Sequence, residues 1–418
     1  MEKLINILDE RGFIYDKTNK LSEIKGPLKV YLGFDPTGDT LHLGHLVGII
    51  SLKWFQKFGC EIIALIGGAT GMIGDPSGKN KERILLENSI IQNNVKSLSF
   101  ILNHLLDSSV SIVNNYDWFS KFSWIDFLRD VGKYFRVGSM ITKESVKQRL
   151  QSEEGISFTE FSYQLLQAYD FLHLFESFGV ALQLGGSDQW GNITSGIDLI
   201  RKKKGKDVYG LTFPLLVDAE GKKMGKTELG TTIWLDEKKT SVYDFYQYFY
   251  RLPDCEMPYL LKMLTFLDIK EINKLVNSMK SPSYVPGSVQ SILASEVTRF
   301  VHGDQGVEKA RKITVHLSPG HMTELSRESL EFFRNEKLSF PMRIDDILGK
   351  FILEVIISIG LCKTKSEGRR LIDQRGLYMN NEPVLDYTKI IEKQDLIENE
   401  FILFSLGKKK KMVINIVD

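Results

Sequence analysis

From residue 28 to 34 the chain reads LKVYLGF, a short β-rich run that stops at the turn-forming Asp35-Pro36-Thr37-Gly38. Leu43 to Phe58 then spaces its apolar residues at helical intervals, so the two segments open a β-α unit. Ile62 to Ile66 is a second strand, running into the glycine-rich GGATGMIGDPSGK, and Ser111 to Asn114 is a third after a helical stretch. Thr159 to Phe178 reads as a long helix, Gln183 to Gly186 as a strand ending in a double glycine, and LTFPLLV after Gly210 as a further strand. Strands alternating with helices predict an α/β fold built on a parallel sheet. Between Tyr116 and Phe161 the aromatics Trp118, Phe119, Phe122, Trp124, Phe127, Tyr134 and Phe135 crowd what reads as a helical insertion. Buried, they are core; exposed at this density, they mark an interface between subunits.

Beyond a polar loop from Asp218 to Gly230, helical periodicity runs from Ser241 to about His316. Leu317 to Phe340 has prolines and mixed charges but no sustained period, and reads as a linker. Ile344 to Gly360, Ser366 to Arg375 and the β-like 377–379, 401–406 and 412–417 predict a small α+β unit. The expected partition is 1–235 with the insertion at about 116–161, a helical domain at 236–318, a linker at 319–340 and a terminal domain at 341–418. The chain carries no internal repeat.

The 418 residues are 43% hydrophobic and 26% charged, ordinary for a soluble globular protein and enough for two or more cores. Lys plus Arg is 54 against 53 for Asp plus Glu, a net charge of +1, so any nucleic-acid site must be a local basic patch. Cys60, Cys255 and Cys362 are far apart and form neither a disulfide framework nor a zinc motif, which fits a reducing cytoplasm. The opening residues do not read as a presequence, and the most apolar stretch, Phe351 to Leu361, is too short to span a bilayer and contains Glu354. No membrane association is expected.

Three constellations can carry chemistry. His42-Leu43-Gly44-His45 opens a helix behind a strand, where unpaired N–H groups and the helix dipole favour phosphate. Two imidazoles three residues apart share a face and can donate to phosphoryl oxygens, and Gly44 leaves room for a nucleotide. Metal ligation would need a third ligand, and none is nearby in sequence. Lys223-Met224-Gly225-Lys226-Thr227 lies in the polar loop; Gly221 to Thr227 falls one residue short of a phosphate loop, and Gly74 to Asn80 misses it too. Alone the motif is weak, because lysine clusters are usually solvated surface. Tyr163, Gln167 and Asp170, at spacings of four and seven on one helix, form a polar stripe on a face otherwise rich in Phe and Leu. Behind the double glycine, Ser187-Asp188-Gln189-Trp190 supplies polar groups suited to the mouth of a site.

YLGFDPTGDTLHLGH, GGATGMIGDPSGK, FTEFSYQLLQAYD, LQLGGSDQWGNI and KMGKT occur in the order and approximate spacing of bacterial-type tyrosyl-tRNA synthetases, which this chain resembles over most of its length. HLGH is similar to the HIGH signature and KMGKT to the KMSKS signature of class I aminoacyl-tRNA synthetases, with Gly225 in place of the serine. The resemblance implies a Rossmann-like catalytic domain with a helical insertion, then a helical domain and a small α+β RNA-binding domain. It implies that Tyr31 and Asp170 hold the phenolic hydroxyl of tyrosine, and that Asp75, Tyr163 and Gln167 take its ammonium group. Asp35, Gly186, Asp188 and Gln189 fall where the family contacts the adenylate or the tyrosine carboxyl. Thr37, His42, His45, Lys79, Arg83, Lys223, Lys226 and Thr227 fall where it handles ATP and pyrophosphate. ATP would come with Mg²⁺, few fixed protein ligands for that ion are expected, and no tightly bound organic cofactor is implied.

Lys363, Lys365, Arg369, Arg370 and Arg375 crowd a short helix-turn region, and Lys408 to Lys411 sit in an expected hairpin. GLCKTKSEGRRLIDQRGLYMNNEPV is similar to the RNA-binding domain that ends bacterial tyrosyl enzymes, which implies tRNA binding through phosphate contacts. Arg201 to Lys204, with Arg201 and Lys202 foremost, resembles the region where the family meets the acceptor stem. The resemblance also implies a homodimer with the aromatic insertion at its interface, and one tRNA engaging both subunits.

Overall fold

The computed structural model describes residues 1–78, 85–106, 110–226, 230–316, 339–407 and 410–417. Lys79, Arg83, Thr227, Lys408, Lys409 and all but the last two residues of the expected linker lie outside them. The described chain divides into two compact units, Met1–Thr240 with Gln247–Val301, and Ser241–Tyr246 with His302–Asp418. The helical stretch after residue 240 thus contributes to both.

The first unit is built on a six-stranded sheet of β1 (Asp16–Lys17), β2 (Lys29–Phe34), β3 (Glu61–Ile66), β4 (Ser111–Asn114), β5 (Leu182–Gly186) and β6 (Tyr209–Phe213). The order is β1-β6-β5-β2-β3-β4; every pairing is parallel except β1 on β6. From β2 the chain steps to β3 and β4 on one side, then returns to lay β5 and β6 on the other. The order therefore reverses between β2 and β5, and in open α/β sheets ligands bind at the carboxyl ends of the strands flanking such a reversal.

The inner strands β2, β3, β5 and β6 are mostly buried, apolar-rich runs, as parallel strands covered on both faces must be, whereas the edge strands β1 and β4 are half-buried or exposed. Helices α1 (Glu2–Arg11), α2 (Leu43–Lys57) and α3 (Asn88–Leu106) precede the insertion, which holds α4 (Tyr116–Phe119), α5 (Trp124–Asp130), α6 (Val137–Met140) and α7 (Glu144–Leu150). The long α8 (Phe158–Phe178) starts at Ser157, whose side chain accepts from the Glu160 N–H, and ends at Gly179 in the left-handed conformation. After β5 comes α9 (Trp190–Lys204). The insertion aromatics divide. Trp118 and Phe127 join the core of Tyr31, Ile63, Phe171 and Leu174; Phe119, Phe122, Tyr134 and Phe135 pack against it; Trp124 stays 57% exposed.

Arg11 ties three elements of this unit together. Its guanidinium donates to the carbonyls of Lys262 and Thr265 at 2.8 Å each and to that of Leu267, and lies 4.6 Å from the ring of Trp54 on α2. These carbonyls lie in and just beyond the last turn of the helix Met257–Leu264, so a buried cation meets the negative end of a helix dipole. Burial outweighs its acidic neighbours and lowers the Arg11 pKa to about 10.

The second unit carries a sheet of β7 (Ser339–Arg343), β8 (Leu377–Met379), β9 (Glu382–Pro383), β10 (Phe401–Leu406) and β11 (Lys410–Val417), in the order β7-β11-β10-β8-β9. Only β7 on β11 is parallel. β10 and β11 form the expected hairpin, and helices Ile352–Ser358 and Lys365–Asp373 cover a core that includes Ile352, Ile356, Leu377, Phe404 and Ile414. β7 begins inside the stretch expected as linker. It holds Pro341, which cannot donate to a ladder, and an edge strand tolerates that.

Candidate functional site

At the carboxyl ends of β2 and β5 a cleft of ≈ 250 Å³ opens, lined among others by Tyr31, Asp35, Thr37, Gly44, His45, Asp75, Tyr163, Gln167, Asp170, Gly186, Asp188 and Gln189. Residues as distant in sequence as Tyr31 and Gln189 meet here because β2, the GDPSG turn, α8 and the turn after β5 all reach the reversal point.

At its floor Tyr31, on β2, is 1% exposed, and its hydroxyl has no hydrogen-bond partner among the described residues. Beside it Asp170, from α8, is 2% exposed. One carboxylate oxygen accepts from Trp118 Nε1 at 2.9 Å and the other from Asn115 Nδ2 at 3.0 Å. Burial pushes the Asp170 carboxyl well above the usual carboxylate range; the two hydrogen bonds oppose the shift and the charge of Asp35 adds to it. Burial, then the neighbouring Asp170, pushes the Tyr31 phenol well above its ordinary value. Across the strand pair Gln183 stands in register with Tyr31, 2% exposed, with its Oε1 also unpaired.

Higher in the cleft a web of carboxylates and amides surrounds the stripe on α8. Tyr163 donates its hydroxyl to Asp35 Oδ2 at 2.8 Å, and Thr70 donates to Asp35 Oδ1 at 2.8 Å. A Cβ on Gly67 would collide with that same Asp35 oxygen, which is why GGATG opens with glycine after β3. Asp75 Oδ2 accepts from Gln189 Nε2 at 2.7 Å, and its Oδ1 accepts from the Ser77 N–H at 3.0 Å. Asn192 Nδ2 lies 2.9 Å from Gln167 Oε1, 3.2 Å from Gln189 Oε1 and 3.4 Å from Asp75 Oδ1. Asp188 backs onto two glycines: a Cβ would come within 3.0 Å of its carboxylate at Gly78 and 2.8 Å at Gly186.

HLGH caps α2. His42 Nδ1 accepts from the Gly44 N–H at 3.0 Å, His45 Nδ1 accepts from the His42 N–H at 3.2 Å, and the rings are 4.0 Å apart. Because each Nδ1 is an acceptor, each neutral ring carries its proton on Nε2 as a donor. KMGKT lies against this cap. Ile233 N–H donates to Gly225 O at 2.8 Å, Leu43 N–H donates to Ile233 O at 3.0 Å, and a Cβ on Gly225 would stand 3.6 Å from Leu43 Cβ. Lys223 and Lys226 are exposed and, like His42, are not part of the cleft lining. Lys79, Arg83 and Thr227 fall outside the described residues.

Sequence reading gave no site role to Asn115, Trp118, Thr70, Asn192 or Gln183. Asn115 is fully buried and holds Thr70, Ala69 and Asp170 together, and His173 stacks on Trp118 at 4.3 Å. Of these only Gln183, a polar residue within the buried strand β5, carries a local signal.

Arg201 and Lys202 are not part of the cleft lining. Arg201 pairs with Asp198, and Lys202 Nζ donates to the Tyr134 carbonyl at 3.1 Å, both in the last turn of α9, where cations suit the dipole. Lys363, Lys365, Arg369, Arg370 and Arg375 are all exposed on and beside helix Lys365–Asp373; Lys365 pairs with Glu354 at 3.0 Å, and Arg369 lies 5.4 Å from the ring of Tyr387. Among the described residues no group of three His, Cys, Asp or Glu is placed to hold a metal ion.

Residues 23–317 match the family of tRNA synthetases class I (W and Y), and residues 345–414 match the tyrosine--tRNA ligase SYY-like C-terminal domain. The tyrosine--tRNA ligase of Protochlamydia amoebophila is 49% identical, over 100% of both chains. The chloroplastic/mitochondrial tyrosine--tRNA ligase of Arabidopsis thaliana is 48% identical, over 99% of this chain and 83% of its own length. A C-terminally truncated mitochondrial tyrosyl-tRNA synthetase of Aspergillus nidulans superposes with a TM-score of 0.66 at 31% identity, covering 74% of this chain and 92% of its own. With its amino-terminal three quarters matched to the one family and its terminal domain to the other, the chain belongs to the class I tyrosyl-tRNA synthetases.

Proposed function

We infer that this protein is a tyrosine:tRNA ligase. It joins tyrosine to ATP as tyrosyl-adenylate with release of pyrophosphate, then passes the tyrosyl group to the terminal ribose hydroxyl of its tRNA. The observation that carries this reading is the pairing of Tyr31, whose buried hydroxyl lacks a partner, with the carboxylate of Asp170 in the cleft that also reaches the HLGH cap. A phenol fits this pair because it can donate to Asp170 and accept from Tyr31; phenylalanine would leave the buried Tyr31 hydroxyl unpaired and give the Asp170 carboxylate no donor beyond Asn115 and Trp118.

The rest of the cleft supports the assignment of roles. Asp75, Tyr163 and Gln167 would meet the ammonium group with oxygen acceptors, and Gln189 and Asp188 would flank the carboxyl and ribose. The tyrosine carboxylate attacks the α-phosphorus and the bond to pyrophosphate breaks, so no side-chain nucleophile is needed. His42, His45, Lys223 and Lys226, with Thr37, Lys79, Arg83 and Thr227, would supply donors and positive charge as the transition state forms. Mg²⁺ would arrive on the triphosphate: both oxygens of Asp35 and of Asp75 already accept protein donors, which fits no dedicated cage for the ion.

The terminal domain would bind tRNA through its exposed basic helix, and Arg201 and Lys202 would approach the acceptor stem. The exposed apolar side chains of the insertion, Trp124, Ile125 and Val137, with Phe158 whose ring lies 6.3 Å from that of Trp124, support a homodimer, which sedimentation at several concentrations reads. A cytoplasmic location is proposed with it; among the described residues no helix is long and apolar enough to cross a membrane. Exchange of labelled pyrophosphate into ATP tests the activity. It should require tyrosine and ignore phenylalanine and tryptophan, and exchange that is indifferent to tyrosine overturns the reading.

A further inference from the structure

The KMGKT segment is held by side chains from the helical stretch that follows it. Gly225 donates its N–H to the hydroxyl of Tyr248 at 3.2 Å. Ala219, at the start of the same loop, donates its N–H to the carboxylate of Glu256 at 2.7 Å, and Glu256 is only 5% exposed. Gly225 has a φ of +110°, a conformation that side-chain-bearing residues rarely adopt, and its carbonyl accepts from the Ile233 N–H. Both polar groups of this one peptide residue are therefore fixed at the point where the loop abuts Leu43 and Gly44, the start of the phosphate-facing cap.

We propose that Tyr248 is a positioning residue for adenylate formation: by accepting the Gly225 N–H, its hydroxyl sets the distance between the lysine-bearing loop and the HLGH helix end. The inference rests on the ligase reading and extends it to a residue outside the cleft lining. Tyr248 packs edge-on against Phe249, with ring centroids 5.2 Å apart, so a phenylalanine in its place keeps the packing and removes only the acceptor. Gly225 would then lose its neutral partner, and the lysines on either side would be less well placed as charge develops on the pyrophosphate.

The test is single-turnover formation of tyrosyl-adenylate by the full chain and by Tyr248→Phe. The rate constant should fall about tenfold, a loss of the size one hydrogen bond supplies. Burst amplitude should stay at wild type, because amplitude counts intact sites whereas the rate constant reads their geometry. The apparent affinity for tyrosine should also hold, and pyrophosphorolysis of the adenylate should slow by the same factor as its formation. A rate constant within twofold of wild type overturns the proposal, as does a reduced amplitude at an unchanged rate or a parallel loss of tyrosine affinity. A wild-type chain without a tyrosine-dependent burst removes the activity reading and this one with it; a normal wild-type burst beside an unaffected variant removes this one alone.

Discussion

A buried hydroxyl without a hydrogen-bond partner is a cost the fold bears, and that of Tyr31 has none among the described residues. Tyr31→Phe should therefore raise stability by up to about 1 kcal/mol while weakening tyrosine binding about tenfold. Denaturant melts and a tyrosine titration read the two effects separately, and a destabilised variant would mean that the hydroxyl is satisfied within the protein. Asp170 gives the matching pH dependence. Its raised pKa means that folding stabilises the protonated form; that contribution is full below the usual carboxylate range and is lost as pH rises through the raised value. Recognition runs the opposite way, since a phenol needs the carboxylate. The kcat/KM for tyrosine should therefore rise along an acid limb displaced above the ordinary carboxylate range. Asn115→Ala removes one of the hydrogen bonds that hold the pKa down, so the limb should move to higher pH. A limb that stays put removes Asn115 from the pair. The stripe of Tyr163, Gln167 and Asp170 was legible in sequence because helical spacing groups it on one face; Asn115 and Trp118 were not, because nothing local marks a side chain that reaches 52 or more positions along the chain.

At the scale of elements, the cap of α2 joins folding to chemistry. His42 closes the helix start through Nδ1, and under the proposed function its Nε2 would donate to phosphate, so removing it would mix two losses. His42→Ala should cost about 1 kcal/mol of stability and slow adenylate formation about 10²-fold. His42→Asn separates them, because asparagine is a good N-cap but lacks the imidazole donor: stability should return and the rate should not. Melting midpoints and pre-steady-state rates check both, and recovery of the rate with asparagine would confine His42 to a structural part. The strands β2, β3, β4, β8 and β10 were readable within a residue or two because apolar runs and turn signals bound them. β1 and β7 were not. Two residues carry no period, and Pro341 with its charged neighbours reads as linker until β11 is there to pair with. Pairing between distant segments is a tertiary fact that local pattern does not contain.

For the whole molecule, a formal charge of +1 means that RNA cannot be drawn by the overall field and must be met by a local patch. Helix Lys365–Asp373 and its flanks present Lys363, Lys365, Arg369, Arg370 and Arg375 to solvent. Deleting the terminal domain is a blunt way to ask what they do. Within the second unit Tyr243 and Ile313 share a buried cluster with Phe401, Leu403 and Val413, so a chain ended before β7 bares Tyr243 and Ile313 and can lose charging through instability alone. Replacing Arg369, Arg370 and Arg375 together by glutamine in the full chain leaves every buried side chain in place. Arg375 already holds a left-handed φ of 53°, and glutamine there meets the same backbone demand. Pyrophosphate exchange should be unchanged, the KM for tRNA should rise at least about tenfold, and the log–log salt dependence of tRNA binding should flatten by about one for each phosphate that an arginine no longer neutralises. An unchanged salt slope with weaker binding would mean that these arginines act through the fold of the domain rather than on phosphate, and normal charging would move the RNA site to another surface.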